Sequence, residues 1–162
     1  MKRLVVITSL LVSSLGTVCA QQASHASAKG KSAPATTACL DTKVHASLVS
    51  INADLERKNQ RMVLFNTFNV ESNYYAPLMV NLEKGKTYKI NYVAGTTASR
   101  YELRLLSKDR KEIFVAKAKG ANASSNILTK EFVAPYTGAY SILVHQKTKG
   151  QGCAGVSVFQ VK

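Results

Sequence analysis

From Met62 to the end of the chain, apolar residues recur at every second position, in short runs separated by turn residues. No other feature restricts the fold as much. A period of two sends successive side chains to opposite faces of an extended strand, so each run has an apolar face and a wet one. The runs are MVLFNTFNV (62–70), PLMVNL (77–82), TYKINYVA (87–94), YELRLL (101–106), EIFVAKA (112–118), ILTKEFV (127–133), AYSILVHQ (139–146) and GVSVFQV (155–161). In the third, Tyr88, Ile90 and Tyr92 share one face and Lys89 and Asn91 the other. In the fourth, Tyr101, Leu103 and Leu105 point inward and Glu102 and Arg104 outward. EKGK (83–86) and SKDRK (107–111) supply turns, and Pro77 belongs at a strand edge. Eight short strands punctuated in this way predict a mainly β fold, an antiparallel jelly-roll-like β-sandwich. Antiparallel sheets tolerate one wet face. There is no internal repeat.

Upstream the period changes. Leu40, Val44, Leu48, Ile51 and Leu55 recur at steps of four, four, three and four, which is one face of an amphipathic helix. Asp41 or Thr42 can cap its start, and Arg57 and Lys58 suit the negative end of its dipole. The stripe packs on the domain's own core; a detachable partner helix is the alternative. Residues 21–38 are nearly all small or polar and read as a flexible linker, with His25 and Lys29 solvated in it. Residues 1–20 read as a signal peptide. MKR is a positive start, Leu4 to Val18 is an apolar stretch too short for a membrane span, and VCA precedes Gln21 as a small-residue cleavage site. Cys19 invites a lipid-anchor reading, against which stands the GTV before it. No second apolar run is long enough for a transmembrane helix. The expected product is an exported protein, periplasmic or secreted, with a helix-plus-sandwich domain over residues 39–162.

Export shapes the reading of charge and cysteine. The formal net charge is +13, and loss of Lys2 and Arg3 with the leader leaves the chain strongly basic. Such a balance favours acidic partners; export argues against nucleic acid. Cys39 and Cys153 meet an oxidising compartment and are expected to pair. Closing so long a loop is worth about 4–5 kcal/mol on the chain-entropy account. Two free, reactive thiols are the alternative, and neither cysteine lies in a C-x-x-C motif.

Catalytic signals are sparse. His25 lies in the linker, His45 on the helix and His145 late in a strand, none with H-E-x-x-H spacing. No G-x-S-x-G elbow occurs, and most of the nine acidic residues fall on the helix, in turns or at outward strand positions, with nothing that points to a buried acid/base pair. KDRKE is a poor calcium loop. Asn122 in NAS matches a glycosylation acceptor. The expectation is a non-enzyme without cofactor or metal; a small secreted hydrolase is the distant alternative.

The binding candidates are basic and aromatic. Arg104, Lys108, Arg110, Lys111, Lys117 and Lys119 come from one predicted hairpin, with Lys147 and Lys149 in a later loop. If Arg104, Lys117 and Lys119 share the wet face, they form a positive stripe for an anionic polymer or an acidic protein. Ordinary charged decoration that blocks edge-to-edge pairing is the alternative. Tyr74 and Tyr75, in the ESNYYAP loop, offer rigid apolar bodies with polar tips; a lid over the core is the alternative. In FVAPYTGAY, Pro135 presets a turn, Gly138 relieves the backbone, and Tyr140 matches a sandwich-corner tyrosine whose hydroxyl bonds back to nearby backbone. Tyr136, at the tip, stays open as a binding candidate.

LEKGKTYKINYVA, YELRLLSKDRKEIF and FVAPYTGAYSILV together resemble the pre-peptidase C-terminal domain of bacterial exported proteins and the related GOLD-like jelly-roll sandwiches. The pattern is a glycine turn before an aromatic-bearing strand, then L-x-L with a polar turn, then F-x-x-P-x-x-G-x-Y. The matching positions are Gly85 and Tyr88, Leu103 and Leu105, and Phe132, Pro135, Gly138 and Tyr140, within roughly residues 62–161. The resemblance implies a jelly-roll sandwich and a non-catalytic accessory role in binding or secretion. This chain departs from it by carrying no enzyme domain and by adding a helix and a cysteine pair. The expected role is a binding or structural module of the bacterial envelope. An envelope or secreted protein is the first choice of partner and an anionic glycan the second.

Overall fold

The structure, a computed structural model, describes residues 39, 41–119 and 126–161. The signal peptide, the linker, Leu40 and Asn122 lie outside the described residues. Helix α1 (Thr42–Arg57) is followed by β1 (Arg61–Val70), β2 (Tyr75–Leu82), β3 (Thr87–Ala94), β4 (Arg100–Leu106), β5 (Glu112–Lys119), β6 (Ile127–Val133), β7 (Gly138–Lys147) and β8 (Gly152–Gln160). They form two four-stranded sheets with orders β1-β8-β3-β6 and β2-β7-β4-β5. All strand pairs are antiparallel. The chain is thus a β-sandwich of the jelly-roll-like kind that the alternation predicts.

The facing sides of the sheets make the core. Phe68, Tyr88, Ile90, Tyr92, Leu103, Leu105, Tyr140, Ile142, Val144 and Val156 are buried there. The corner reading of Tyr140 holds. Its hydroxyl donates to the Tyr136 carbonyl at 2.7 Å and accepts from the Tyr136 amide at 3.2 Å. Gly138, at φ +148°, makes the backbone exit from that turn. Tyr136 stacks on Tyr140 with centroids 4.4 Å apart and planes 7° off parallel. Its own hydroxyl accepts from the Lys108 amide at 2.9 Å and donates to the Ala139 carbonyl at 3.3 Å. Tyr136 therefore ties the β6–β7 turn to the β4–β5 turn.

One expectation needs correcting. The outward face of β3 is not wet: Asn91 and Val93 are as buried as its core face, and so is Ser157 on β8. Helix α1 lies over this outer face. Val44 and Leu48 pack against Val93, with Ile51, Ile127 and Cys153 around them. Gly155 makes room for the helix, because a Cβ there would stand 3.0 Å from Leu48 and 3.3 Å from Val44. A polar rung also runs across the sheet. Asn91 donates to Ser157 at 3.3 Å and Thr129 donates to Asn91 at 3.0 Å, so these buried polar groups are satisfied.

Of the two cap candidates it is Asp41 that serves, accepting from the Lys43 and Val44 amides at 2.9 and 3.3 Å. Cys39 is bonded to Cys153, with Cα atoms 5.5 Å apart. The disulfide fastens the entry to the helix onto β8.

Candidate functional site

With α1 over one sheet, the outer face of β2-β7-β4-β5 is the open broad surface. Strand register builds it row by row. Tyr75, His145, Glu102 and Lys117 are cross-strand neighbours in one row. Pro77, Leu143, Arg104 and Val115 form the next, and Met79, Ser141 and Leu106 the one beyond. On the other side of the tyrosine row stand Lys147, Arg100 and Lys119.

Glu102 is the hub. Its carboxylate is nearly buried, and it accepts from the Tyr75 hydroxyl at 2.8 Å, pairs with Lys117 at 3.2 Å and pairs with Arg104. Arg104 also reaches Glu112 at 3.4 Å. Burial pushes the Glu102 carboxyl upward, but the hydrogen bonds from Arg104, Tyr75 and Lys117 outweigh it and hold the group below the ordinary carboxylate range. Burial and the bond to Glu102 push the Tyr75 hydroxyl up. The Tyr75 ring has the Arg104 guanidinium 5.2 Å from its centroid and the His145 ring 4.9 Å away, tilted by 39°. Burial, with Arg100 and Arg104 nearby, holds His145 below the ordinary histidine value against the pull of Glu102. The His145 Nδ1 is buried without a hydrogen-bond partner, which suits a neutral ring.

Chemically this arrangement immobilises an aromatic plate. Both Glu102 oxygens are engaged, and its depressed pKa makes it a poor proton acceptor at neutral pH. Beside the disulfide lies an open groove of about 380 Å³, lined in part by Asp41, Asn69, Thr96, Thr97 and Gln151. Among the described residues, no three His, Cys, Asp or Glu side chains gather to hold a metal ion.

The sequence candidates disperse over this framework. Tyr75 is not in a loop; it opens β2, because its pairing with His145 extends the ladder beyond Pro77. Tyr74 stays in the loop and is 59% exposed. Arg104 and Lys117 do share the wet face, but with Glu102 and Glu112 among them, so their part of the stripe is largely neutralised. Lys119 lies two residues beyond Lys117, opposite Arg100. Lys108, Arg110 and Lys111 are exposed at the turn on the far end of the hairpin, where the Ser107 and Lys111 backbones close the loop at 2.8 Å. Tyr136 is half-buried in its corner. The residues that spacing did not single out are Glu102, His145, Arg100 and Met79. Alternation with the buried Ile142 and Val144 sets His145 on the outer face, as it does Glu102, but only register joins the two to Tyr75.

No protein-family model matches the chain, and no curated protein does. Solved structures with a similar arrangement include a periplasmic inhibitor of g-type lysozyme from Aeromonas hydrophila, 13% identical over 62% of this chain and 88% of that one, with a TM-score of 0.47. Another is a carbohydrate-binding module from Cellvibrio mixtus lichenase 5A in complex with cellotriose, 13% identical over 64% and 90%, at 0.39. A third is the lectin domain of lectinolysin complexed with Lewis B antigen, 13% identical over 58% and 71%, at 0.40. These likenesses are distant. Among the described residues, no helix is long and apolar enough to cross a membrane.

Proposed function

We propose that this chain is a non-enzymatic binding module of the bacterial envelope, exported and accessory in the sense of pre-peptidase C-terminal domains, and that its ligand is a protein. The observation that carries the reading is the locked Tyr75 ring at the β2 edge, with exposed Tyr74 and a 61% exposed Met79 nearby. Rigid tyrosines beside arginine are the side chains that anchor protein interfaces, because little conformational freedom is lost when they are covered. A neutral glycan needs free acceptors as well as donors around the ring. Here the Tyr75 hydroxyl and both Glu102 oxygens are already committed, and Pro77, Leu143 and Met79 add apolar surface.

The test is a photo-crosslinking residue placed at Met79, with a control at Val133, which is equally exposed on the other sheet. In the native envelope, position 79 is expected to give a discrete protein adduct that disappears with Tyr75→Ala, and position 133 none. Equal adducts at both positions, or neutral-oligosaccharide binding abolished by Tyr75→Ala, would overturn the proposal.

A further inference from the structure

Lys147, Arg100 and Lys119 occupy one row on three adjacent strands, with Arg100 opposite both lysines. Neighbouring strands are about 4.8 Å apart, and like charges directly opposite one another destabilise a sheet. All three side chains are exposed. The ion pairs among the described residues join Arg57 to Asp54, Lys89 to Glu131, Arg104 to Glu102 and Glu112, and Lys117 to Glu102. None touches the row. No unseen acidic side chain can reach it either, because all nine Asp and Glu residues fall within the described stretches. The adjacent row offers a single carboxylate, Glu102, and that is saturated by Tyr75, Arg104 and Lys117. The row is also held in place: the Ser99 amide and hydroxyl both donate to the Lys147 carbonyl, at 2.8 and 3.1 Å. Three uncompensated cations thus stand on rigid backbone, one strand residue pair away from the tyrosine row.

We infer that the Lys147–Arg100–Lys119 row is an anion-binding rail that takes the carboxylates of an acidic segment of a protein partner. The inference rests on the binding reading above and names the chemistry of that partner. Charge complementarity selects the anion. Continuity with Tyr75, Pro77 and Met79 on the same face selects a protein, because a purely anionic polymer has nothing to set against that apolar surface. Exposed charges at the edge of an apolar patch steer association and fix orientation. Binding through the rail is therefore salt-sensitive, weakening as the screening length shortens to about 8 Å near physiological ionic strength.

The experiment uses poly-L-glutamate as the probe and the disulfide-intact chain, read by fluorescence anisotropy at low and moderate salt. The rail variant combines Arg100→Gln, Lys119→Gln and Lys147→Gln. A control removes the same charge elsewhere with Lys84→Gln, Lys86→Gln and Lys130→Gln, all exposed positions. The rail variant is expected to bind about tenfold or more weakly while the control changes little, and to melt at a higher temperature because the like-charge row is gone. Equal weakening in both variants means diffuse attraction by net charge and overturns the rail. So does the absence of poly-L-glutamate binding at low salt. So does a rail-dependent loss confined to polyphosphate or a sulfated polysaccharide, which assigns the row to a different polymer class. A melting temperature that falls in the rail variant makes the row structural and overturns the inference as well. If the crosslink at position 79 survives any of these failures, the rail falls and the binding face stands.

Discussion

Tyr140 and Tyr75 each commit their hydroxyl to one main partner, yet they do different work. Tyr140 is buried and closes a corner through the Tyr136 backbone. Tyr140→Phe keeps the ring but leaves a half-buried carbonyl and amide without that partner. It is expected to lower unfolding free energy by about 1–2 kcal/mol in urea titration. Tyr75 is 43% exposed and bonds a carboxylate that has two other donors. Tyr75→Phe therefore leaves Glu102 satisfied, and stability is expected to change by less than in Tyr140→Phe. Acidity acts on the same cluster with a definite sign. His145 binds its proton less readily in the folded than in the unfolded chain. Stability is thus lost as pH falls below about 6.5. Glu102, also depressed, adds a second loss as pH falls through about 4.3. Melting temperatures measured from pH 7.5 to 3.5 should decline in both windows. His145→Gln should remove the upper decline and Glu102→Gln weaken the lower one.

At the scale of elements, β3 and β6 have the bounds that alternation predicts, while β7 and β8 begin one and three residues earlier. The added residues at the starts are Gly138 and the run Gly152, Cys153 and Ala154, small side chains without apolar–polar alternation, so the strand starts are invisible to a period-two reading. The stripe of α1 was equally plain, but the sheet face it covers depends on Gly155, whose meaning appears only once β8 is paired. Gly155→Val is expected to lift α1. Stability should fall by about 1–3 kcal/mol, and hydrogen exchange should speed up in Thr42–Arg57 more than in the strands. The candidate face was legible only in pieces. Tyr75, Arg104 and Lys117 were recognisable as surface candidates, but Glu102 lies 27 residues from Tyr75 and joins them by register across β7. Spacing along a chain does not encode such a join. Arg104 and Lys117 share the wet face as alternation predicts, but only register shows that Glu102 faces Lys117 and pairs with it.

For the whole molecule, the 114-residue separation of Cys39 and Cys153 closes nearly all of the described domain in one loop. Replacing both with serine is expected to reduce stability by about 2–5 kcal/mol, measured by denaturant unfolding with and without reductant, which should act on the parent and not on the variant. The strands make their own core, so far-ultraviolet dichroism of the folded variant should keep its β signature. The placement of α1 carries a further consequence. A sandwich has two broad outer faces, and here a helix bolted by a disulfide lies over part of one. The two sides of the domain therefore differ in kind: one outer face is bare strand, the other a helix with the exposed ends of strands beside it, Val133 among them.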